Sequence, residues 1–333
     1  IVRAPFRISF FGGGTDYPVW YEKHGGEVLG TSIDKYSYIS CRYLPPFFEH
    51  KYRVVYSAIE LTNHINEIDH PSVRECLRSL GFDEGLEVHY DGDLPARSGM
   101  GSSSSFTVAL LRALYALKKV EINKQDLALK AIHVEQNLIG ESVGSQDQTL
   151  ASFGGLNHVK FGANQTIDVR PLPISLEKQE DLQSHLMLVF TGLSRIASEV
   201  ASEQIRLTPA REKELSQIQG FVSQGIRILE SESDLSEFGL LLNEAWKIKK
   251  SLTSKVSNKE IDEIYEAGLS AGAVGGKLLG AGGGGFFTFY CEEDHDKLRT
   301  VMLSQGLREL KFDFDFEGTK VLANFMSYRP FDL

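Results

Sequence analysis

Residues 95–105 read Pro95-Ala96-Arg97-Ser98-Gly99-Met100-Gly101-Ser102-Ser103-Ser104-Ser105, and they run directly into Phe106, Leu110, Ala113, Leu114 and Leu117, apolar residues at helical spacing that end at Lys118-Lys119. The pattern predicts an amphipathic helix that begins in the serine run and carries cations at its negative end. The first turn of such a helix has N–H groups without intrahelical partners, and the dipole makes that end positive. Gly99 and Gly101 add backbone bare enough for an anion to approach closely. The stretch therefore reads as a phosphate cradle formed by Pro95, Arg97, Gly99, Met100, Gly101, Ser102, Ser103 and Ser104. A loop whose serine merely caps the helix is the alternative; it accounts for one serine but not for the glycine pair. No Lys follows the last glycine, so this is not a Walker loop.

Three further segments carry chemistry. Gly280-Ala281-Gly282-Gly283-Gly284-Gly285 lies between Lys277-Leu278-Leu279 and Phe286-Phe287. A tight hairpin needs one or two glycines, whereas this run denies side chains to a whole surface, as when a ligand lies against the backbone; a plain turn is the competing explanation. Arg7 to Asp16, RISFFGGGTD, predicts a strand that delivers an arginine, a bare elbow at Gly12, Gly13 and Gly14, and then Thr15-Asp16. A small polar ligand would meet backbone and carboxylate there. In the stretch from Glu135 to Gln148, Glu135 has Ala131, Ile132, Leu138 and Ile139 at the three- and four-residue spacings of a helix, so its carboxylate is centred among apolar neighbours. Burial there demands an Arg, a Lys or a divalent cation, or else a raised pKa. Asp147, twelve residues further on, falls in a turn where it serves as a helix N-cap, as a functional carboxylate, or as both.

The chain has 333 residues, 42% hydrophobic and 24% charged, the balance of an ordinary globular enzyme of about two domains. Its net charge of -10 and its short, scattered basic pairs argue against a polyanion-binding surface, so no nucleic acid partner is expected. Cys41, Cys76 and Cys291 have no paired spacing and suggest neither a disulfide framework nor a zinc site. The start lacks a signal-peptide pattern and no segment is long and apolar enough for a membrane span, so the expectation is a cytoplasmic protein without membrane association. Nothing in the sequence speaks to the oligomeric state. Strands are expected up to Phe11 and at 33–43, 52–57, 86–90, 156–161 and 185–191. Helices are expected from the serine run, from Asn123 to near Gly140, at 175–183, and through most of 197–271. A boundary near residue 180 separates 1–180, with the cradle and Asp147, from 181–333, with the glycine run.

In this order the four segments resemble the GHMP kinases, the small-molecule kinase family that includes galactokinases, homoserine kinases and mevalonate kinases. The cradle matches the family's central P-x-x-x-G-L-G-S-S motif, with Met100 in the leucine place, and the glycine run matches its C-terminal motif. The resemblance spans most of the chain. It implies an α+β fold of two domains, the first similar to the second domain of a ribosomal S5-like protein and the second ferredoxin-like, enclosing ATP, Mg²⁺ and a sugar phosphate between them. It further implies that Ser103, or else Ser102, touches Mg²⁺ and the β- and γ-phosphates, with Glu135 as the second Mg²⁺ contact. Asp147 takes the place of the general base at the acceptor hydroxyl, and Arg7 that of the cation beside it. Gly12, Gly13, Gly14, Thr15 and Asp16, with Gly282 and Gly283, would face the acceptor.

One departure bears on the substrate. Where galactokinases carry Glu-His, this chain has Gly13-Gly14, so two side chains that would crowd the sugar are absent. FGGGTD, together with GSQDQ, Phe190-Thr191-Gly192-Leu193-Ser194-Arg195 and GAGGGGF, is most similar to the branch of the family that phosphorylates heptose 7-phosphate at its C1 hydroxyl, on the way to nucleotide-activated heptose for surface polysaccharide. Such an acceptor needs a second anion site, for which Arg195, with Arg97 as another choice, is the expectation; a solvated structural arginine is the competing role. Kinases of unphosphorylated sugars such as fucose or galactose, and a sensor of sugar and ATP without turnover, are the alternatives. Retention of Arg7, Ser103, Glu135 and Asp147 argues against a sensor.

Overall fold

The computed structural model describes residues 1–96, 98–193, 197–293 and 295–325. Arg97 and Arg195, two of the expected anion contacts, lie outside the described residues.

The described residues form two sheets. The first has nine strands and is organised around β1 (Val2–Phe11) and the 18-residue β2 (Gly26–Tyr43), paired antiparallel. Along its other edge β2 pairs in turn with three strands. These are β6 (Leu156–Gly162) through residues 26–31, β12 (Phe314–Asp315) at Ser32 and Ile33, and β5 (Leu86–Gly92) through residues 37–43. Strands β3 (Tyr52–Val55) and β4 (Ile59–Thr62) extend the sheet beyond β5, β7 (Thr166–Pro171) pairs with β6, and β13 (Lys320–Val321) pairs with β1. The second sheet is antiparallel, in the order β11 (Arg308–Leu310), β8 (Leu186–Phe190), β10 (Phe286–Tyr290), β9 (Gly275–Leu278).

Helices cover both sheets. The serine run opens α3 (Ser102–Leu117), which packs on β1 and β2 as its apolar spacing predicts. The helix expected from Asn123 is α4 (Lys124–His133), with the Asn123 side chain accepting from the Asp126 N–H. It does not continue as an α-helix to Gly140: residues Val134–Ile139 form a π-helical turn that ends at Gly140 in the left-handed region. Such turns insert one residue into the helical repeat and re-aim the side chains they carry, here that of Glu135. Helices α5 (Gln146–Phe153) and α6 (Leu176–Ser184) complete the first half. The second half carries α7 (Ala197–Leu207), α8 (Glu212–Glu230), α9 (Ser236–Leu252), α10 (Lys259–Ser270) and α11 (His295–Ser304). Two short helices, α1 (Pro18–His24) and α2 (Pro71–Ser79), were not expected from apolar periodicity, although each begins with a proline at its first turn.

The division near residue 180 falls inside α6, and the C-terminal part does not stand apart from the first sheet: β12 and β13 return to pair with β2 and β1. Nor are the two cores separate. Phe6, Ile8 and Phe10 of β1 share one apolar cluster with Val222 of α8 and Phe238 and Leu242 of α9, and the Phe10 and Phe238 rings meet edge to face at 5.3 Å. The glycine run leaves the second sheet between β9 and β10, and this shared core brings it against the cradle at the start of α3.

Candidate active site

β1 is buried on both faces, and it delivers Arg7 and Ser9 to a cavity of about 180 Å³ between the two halves. Arg7 is 3% exposed. Its Nε and Nη2 donate to Oδ1 and Oδ2 of Asp147, both at 2.7 Å, and its Nη1 donates to the Gly99 carbonyl at 2.7 Å. One guanidinium thus spans carboxylate and cradle in the two-pronged geometry that arginine favours. The backbone repeats the tie, since the Arg7 N–H donates to the Met100 carbonyl at 3.1 Å.

Asp147 lies in the first turn of α5 but does not cap it; Ser145 occupies the N-cap position, and the Asp147 carboxylate turns to Arg7 instead. Beside it Asp16 is 1% exposed and accepts from the Gly14 N–H at 2.9 Å and the Gln146 N–H at 3.3 Å. Burial pushes its pKa up, and the nearby Asp147 charge adds to the rise. Gly144 is required at this point, because a Cβ there would lie 1.8 Å from Asp16 Oδ2.

Gly99 and Gly101 have φ of 77° and 76°, and no side chain caps α3, so the first-turn N–H groups of the helix are not taken by a capping serine. Each serine has its own environment. Ser102 is half-buried and Ser103 exposed, both lining the cavity; Ser104 Oγ donates to Glu135 Oε2 at 2.8 Å, and Ser105 Oγ donates to the Pro5 carbonyl at 2.7 Å. The hydroxyl that contacts Glu135 is therefore that of Ser104, one helical position beyond Ser103. Met100 is fully buried in the core and contributes only backbone, while Pro95 is exposed and does not line the cavity.

Glu135 is fully buried and has no cationic partner among the described residues. It accepts from Ser104 and, at 2.5 Å, from Gln148 Nε2, while its Oε1 has no partner among the described residues. Burial pushes its pKa up to about 7, against the lowering effect of the nearby Thr107 hydroxyl and of the hydrogen bonds from Gln148 and Ser104. An orphaned carboxylate oxygen beneath a serine that lines the cavity suits a hard cation that takes one carboxylate and completes its shell with phosphate and water. No group of three or more His, Cys, Asp or Glu side chains among the described residues forms a metal cage of its own.

The glycine run is not a bare surface for a ligand over its whole length. A Cβ on Gly280 would lie 2.8 Å from Gly99 Cα, and one on Gly285 would lie 2.4 Å from the Ser98 carbonyl oxygen. The run and the cradle therefore interlock backbone to backbone. Gly282 and Gly283 are held against Val256, the latter through its N–H at 2.9 Å, and do not line the cavity; Gly280 and Ala281 do. The elbow divides in the same way. Gly13, Gly14 and Asp16 face the cavity, whereas Gly12 packs against Glu27 and the Thr15 hydroxyl donates to the Gly12 and Glu27 carbonyls at 2.8 and 2.9 Å.

Two lysines in the cavity wall were not anticipated. Lys249 of α9 donates to the Leu278 and Gly280 carbonyls at 2.9 and 2.5 Å, and Lys277 of β9 donates to the Phe10 carbonyl at 2.7 Å. Lys249 was legible: it continues the stripe Leu242, Ala245, Trp246 towards Leu252 at helical spacing, so it had to face inward. Lys277 interrupts a fully buried strand, which is a signal of the same kind.

A glycine-and-serine helix start and an Arg–Asp pair line one cavity, with the buried Glu135 carboxylate behind Ser104, an arrangement that suits phosphoryl transfer. Comparison with known proteins agrees. The profile for the GHMP kinases N terminal domain matches residues 63–155, and that for GHMP kinases C terminal matches residues 227–305. The chain is 27% identical to a D-glycero-alpha-D-manno-heptose 7-phosphate kinase of Campylobacter jejuni, over 96% of this chain and 97% of that one. It is 28% identical to a galactokinase of Pyrococcus furiosus, over 90% of each. A crystal structure of a D-glycero-D-manno-heptose 1-phosphate kinase from Bacteriodes thetaiotaomicron superposes with a TM-score of 0.78 at 22% identity, covering 97% of this chain and 100% of that one. The chain belongs to the GHMP kinase family. As such it is a phosphotransferase with an alcohol group as acceptor, built on the expected two-part α+β fold. No helix among the described residues is long and apolar enough to cross a membrane.

Proposed function

We propose that this chain transfers the γ-phosphoryl group of ATP to the anomeric C1 hydroxyl of D-glycero-D-manno-heptose 7-phosphate, giving the 1,7-bisphosphate for nucleotide-activated heptose in the cytoplasm. The observation that carries the proposal is the Arg7–Asp147 pair, joined to the cradle through Gly99 and flanked by Asp16 in one cavity. The likeness to the Campylobacter enzyme along nearly the whole of both chains supports the choice of acceptor, as do the missing side chains at Gly13 and Gly14.

The α3 N–H groups and the Ser102 and Ser103 hydroxyls bind the nucleotide phosphates. Asp16 and the Gly13–Gly14 backbone hold the sugar. The acceptor oxygen forms a bond to the γ-phosphorus as the bond from that phosphorus to the bridging oxygen breaks, and ADP leaves with that oxygen's electron pair. The acceptor proton passes to the Asp147 carboxylate, which the two Arg7 hydrogen bonds hold in place. Mg²⁺ would be held by the cradle serines and Glu135, where it would neutralise phosphate charge. Most of the rate enhancement in such a reaction comes from positioning and charge stabilisation, which these groups supply.

An ADP-release assay with Mg-ATP tests the proposal against heptose 7-phosphate, sedoheptulose 7-phosphate, mannose, fucose and galactose. Turnover of heptose 7-phosphate well above the others is the expected result. Turnover of an unphosphorylated sugar alone would overturn the acceptor while leaving the kinase chemistry in place.

A further inference from the structure

Lys249 and Lys277 are 9% and 5% exposed, and among the described residues both ammonium groups are met only by backbone carbonyls. Among the described residues neither has a carboxylate oxygen within 4.0 Å. The two acids of the cavity are engaged elsewhere: Asp147 with Arg7, and Asp16 with the Gly14 and Gln146 N–H groups. Burying an ammonium without an anion is unfavourable, and burying two near each other is more so. Burial lowers the Lys249 pKa to about 7, the Arg7 charge acting in the same direction, and holds Lys277 well below its ordinary value, with Lys249 as the next cause. An apolar residue at either position would satisfy the core more cheaply, yet both cations open onto the cavity that holds Arg7 and the cradle serines. Lys249 has one N–H left after its two carbonyl bonds and Lys277 has two.

We propose that Lys249, backed by Lys277, binds a phosphoryl group of a ligand in this cavity, either the acceptor's own phosphate or the γ-phosphate of the nucleotide. The inference rests on the kinase function proposed above and extends it by assigning a counter-charge from the second half of the fold. Because Lys249 also ties α9 to the carbonyls of Leu278 and Gly280, a bound phosphoryl group and the position of the glycine run are coupled through one side chain.

The test is isothermal calorimetry on the whole protein and its Lys249→Met and Lys249→Arg variants, with heptose 7-phosphate and with the non-hydrolysable ATP analogue AMPPNP as separate probes. Lys249→Met should lose roughly 10- to 100-fold in affinity for one probe, and Lys249→Arg should recover most of it. Loss confined to heptose 7-phosphate assigns the acceptor phosphate, and loss confined to AMPPNP assigns the γ-phosphate. A second readout is proton uptake at pH 7.5, measured in buffers of different ionisation enthalpy. An anion arriving beside Lys249, which faces Arg7, Asp16, Asp147 and Lys277, raises its proton affinity, so uptake seen in the wild type should vanish in Lys249→Met. A Lys249→Met protein that binds both probes like the wild type, with only a lower Tm, would make the lysine a structural tie and overturn the proposal. If Lys249→Met does not fold, Lys249→Gln is judged by the same criteria. Should the wild type fail to bind heptose 7-phosphate, the acceptor assignment falls separately, and unchanged AMPPNP affinity in the variant then suffices to reject the role of Lys249.

Discussion

Glu135→Gln separates the stability of the fold from the chemistry of the site. In the metal-free protein the Glu135 carboxylate is fully buried, has one unpartnered oxygen, and has a pKa raised from 4.5 to about 7. A carboxyl whose folded pKa lies above its unfolded one favours the fold in its protonated form. Its contribution is intact at low pH and is lost as the pH rises from the unfolded value through the folded one. At 1.36 kcal/mol per pH unit, the stability gap between Glu135→Gln and wild type should grow from under about 1 kcal/mol at pH 5 to about 3 kcal/mol at pH 8, with the glutamine variant the more stable. The lysines of the site slope the other way, because a lowered folded pKa makes stability rise with pH, so the difference between the two proteins is the quantity to read. Urea denaturation at pH 5.5, 6.5, 7.5 and 8.5 without Mg²⁺ or nucleotide provides it. A gap that does not change with pH, or a variant less stable than wild type at pH 8, would refute the assignment of a desolvated, uncompensated carboxylate. The same variant should need more Mg²⁺ for turnover, and an unchanged Mg²⁺ titration would remove Glu135 from the metal site.

Asp147→Asn should leave AMPPNP affinity near that of the wild type and cut kcat by roughly 10²-fold or more, with near-normal turnover excluding Asp147 as the base. Gly285→Ala places a Cβ about 2.4 Å from the Ser98 carbonyl at a φ of 108°, so it should raise the KM for ATP by displacing the cradle; an unchanged KM would mean that the interlock is incidental. Gly144→Ala puts a Cβ 1.8 Å from Asp16 Oδ2 and should weaken the acceptor more than ATP, as a split of the two KM values will show.

Much of the site was legible because its residues break local rules. A glycine pair before a helix, a glutamate centred in an apolar stripe and an arginine in a β-run each ask for a partner; the structure brings the first and third to one cavity and sets the glutamate behind it, on Ser104. What stayed hidden depends on packing between segments far apart in sequence. Four glycines in a row cannot say whether ligand or protein lies against them; here Gly280 and Gly285 meet the cradle and Gly282 meets Val256. The hydroxyl that reaches Glu135 depends on the angle at which α3 meets the π-helical turn, and four consecutive serines leave that choice open. The return of β12 and β13 to the first sheet rests on pairs of two residues each, too short for any period to announce.

The proposed reaction phosphorylates C1 of a sugar already phosphorylated at its far end. Phosphorus NMR of heptose 7-phosphate incubated with Mg-ATP and the wild-type protein, beside Asp147→Asn, tests it most directly. A new anomeric phosphate signal should grow with ADP in the wild type and be nearly absent in the variant. A new phosphate on any other carbon, or no transfer by a protein that binds both substrates, would contradict it.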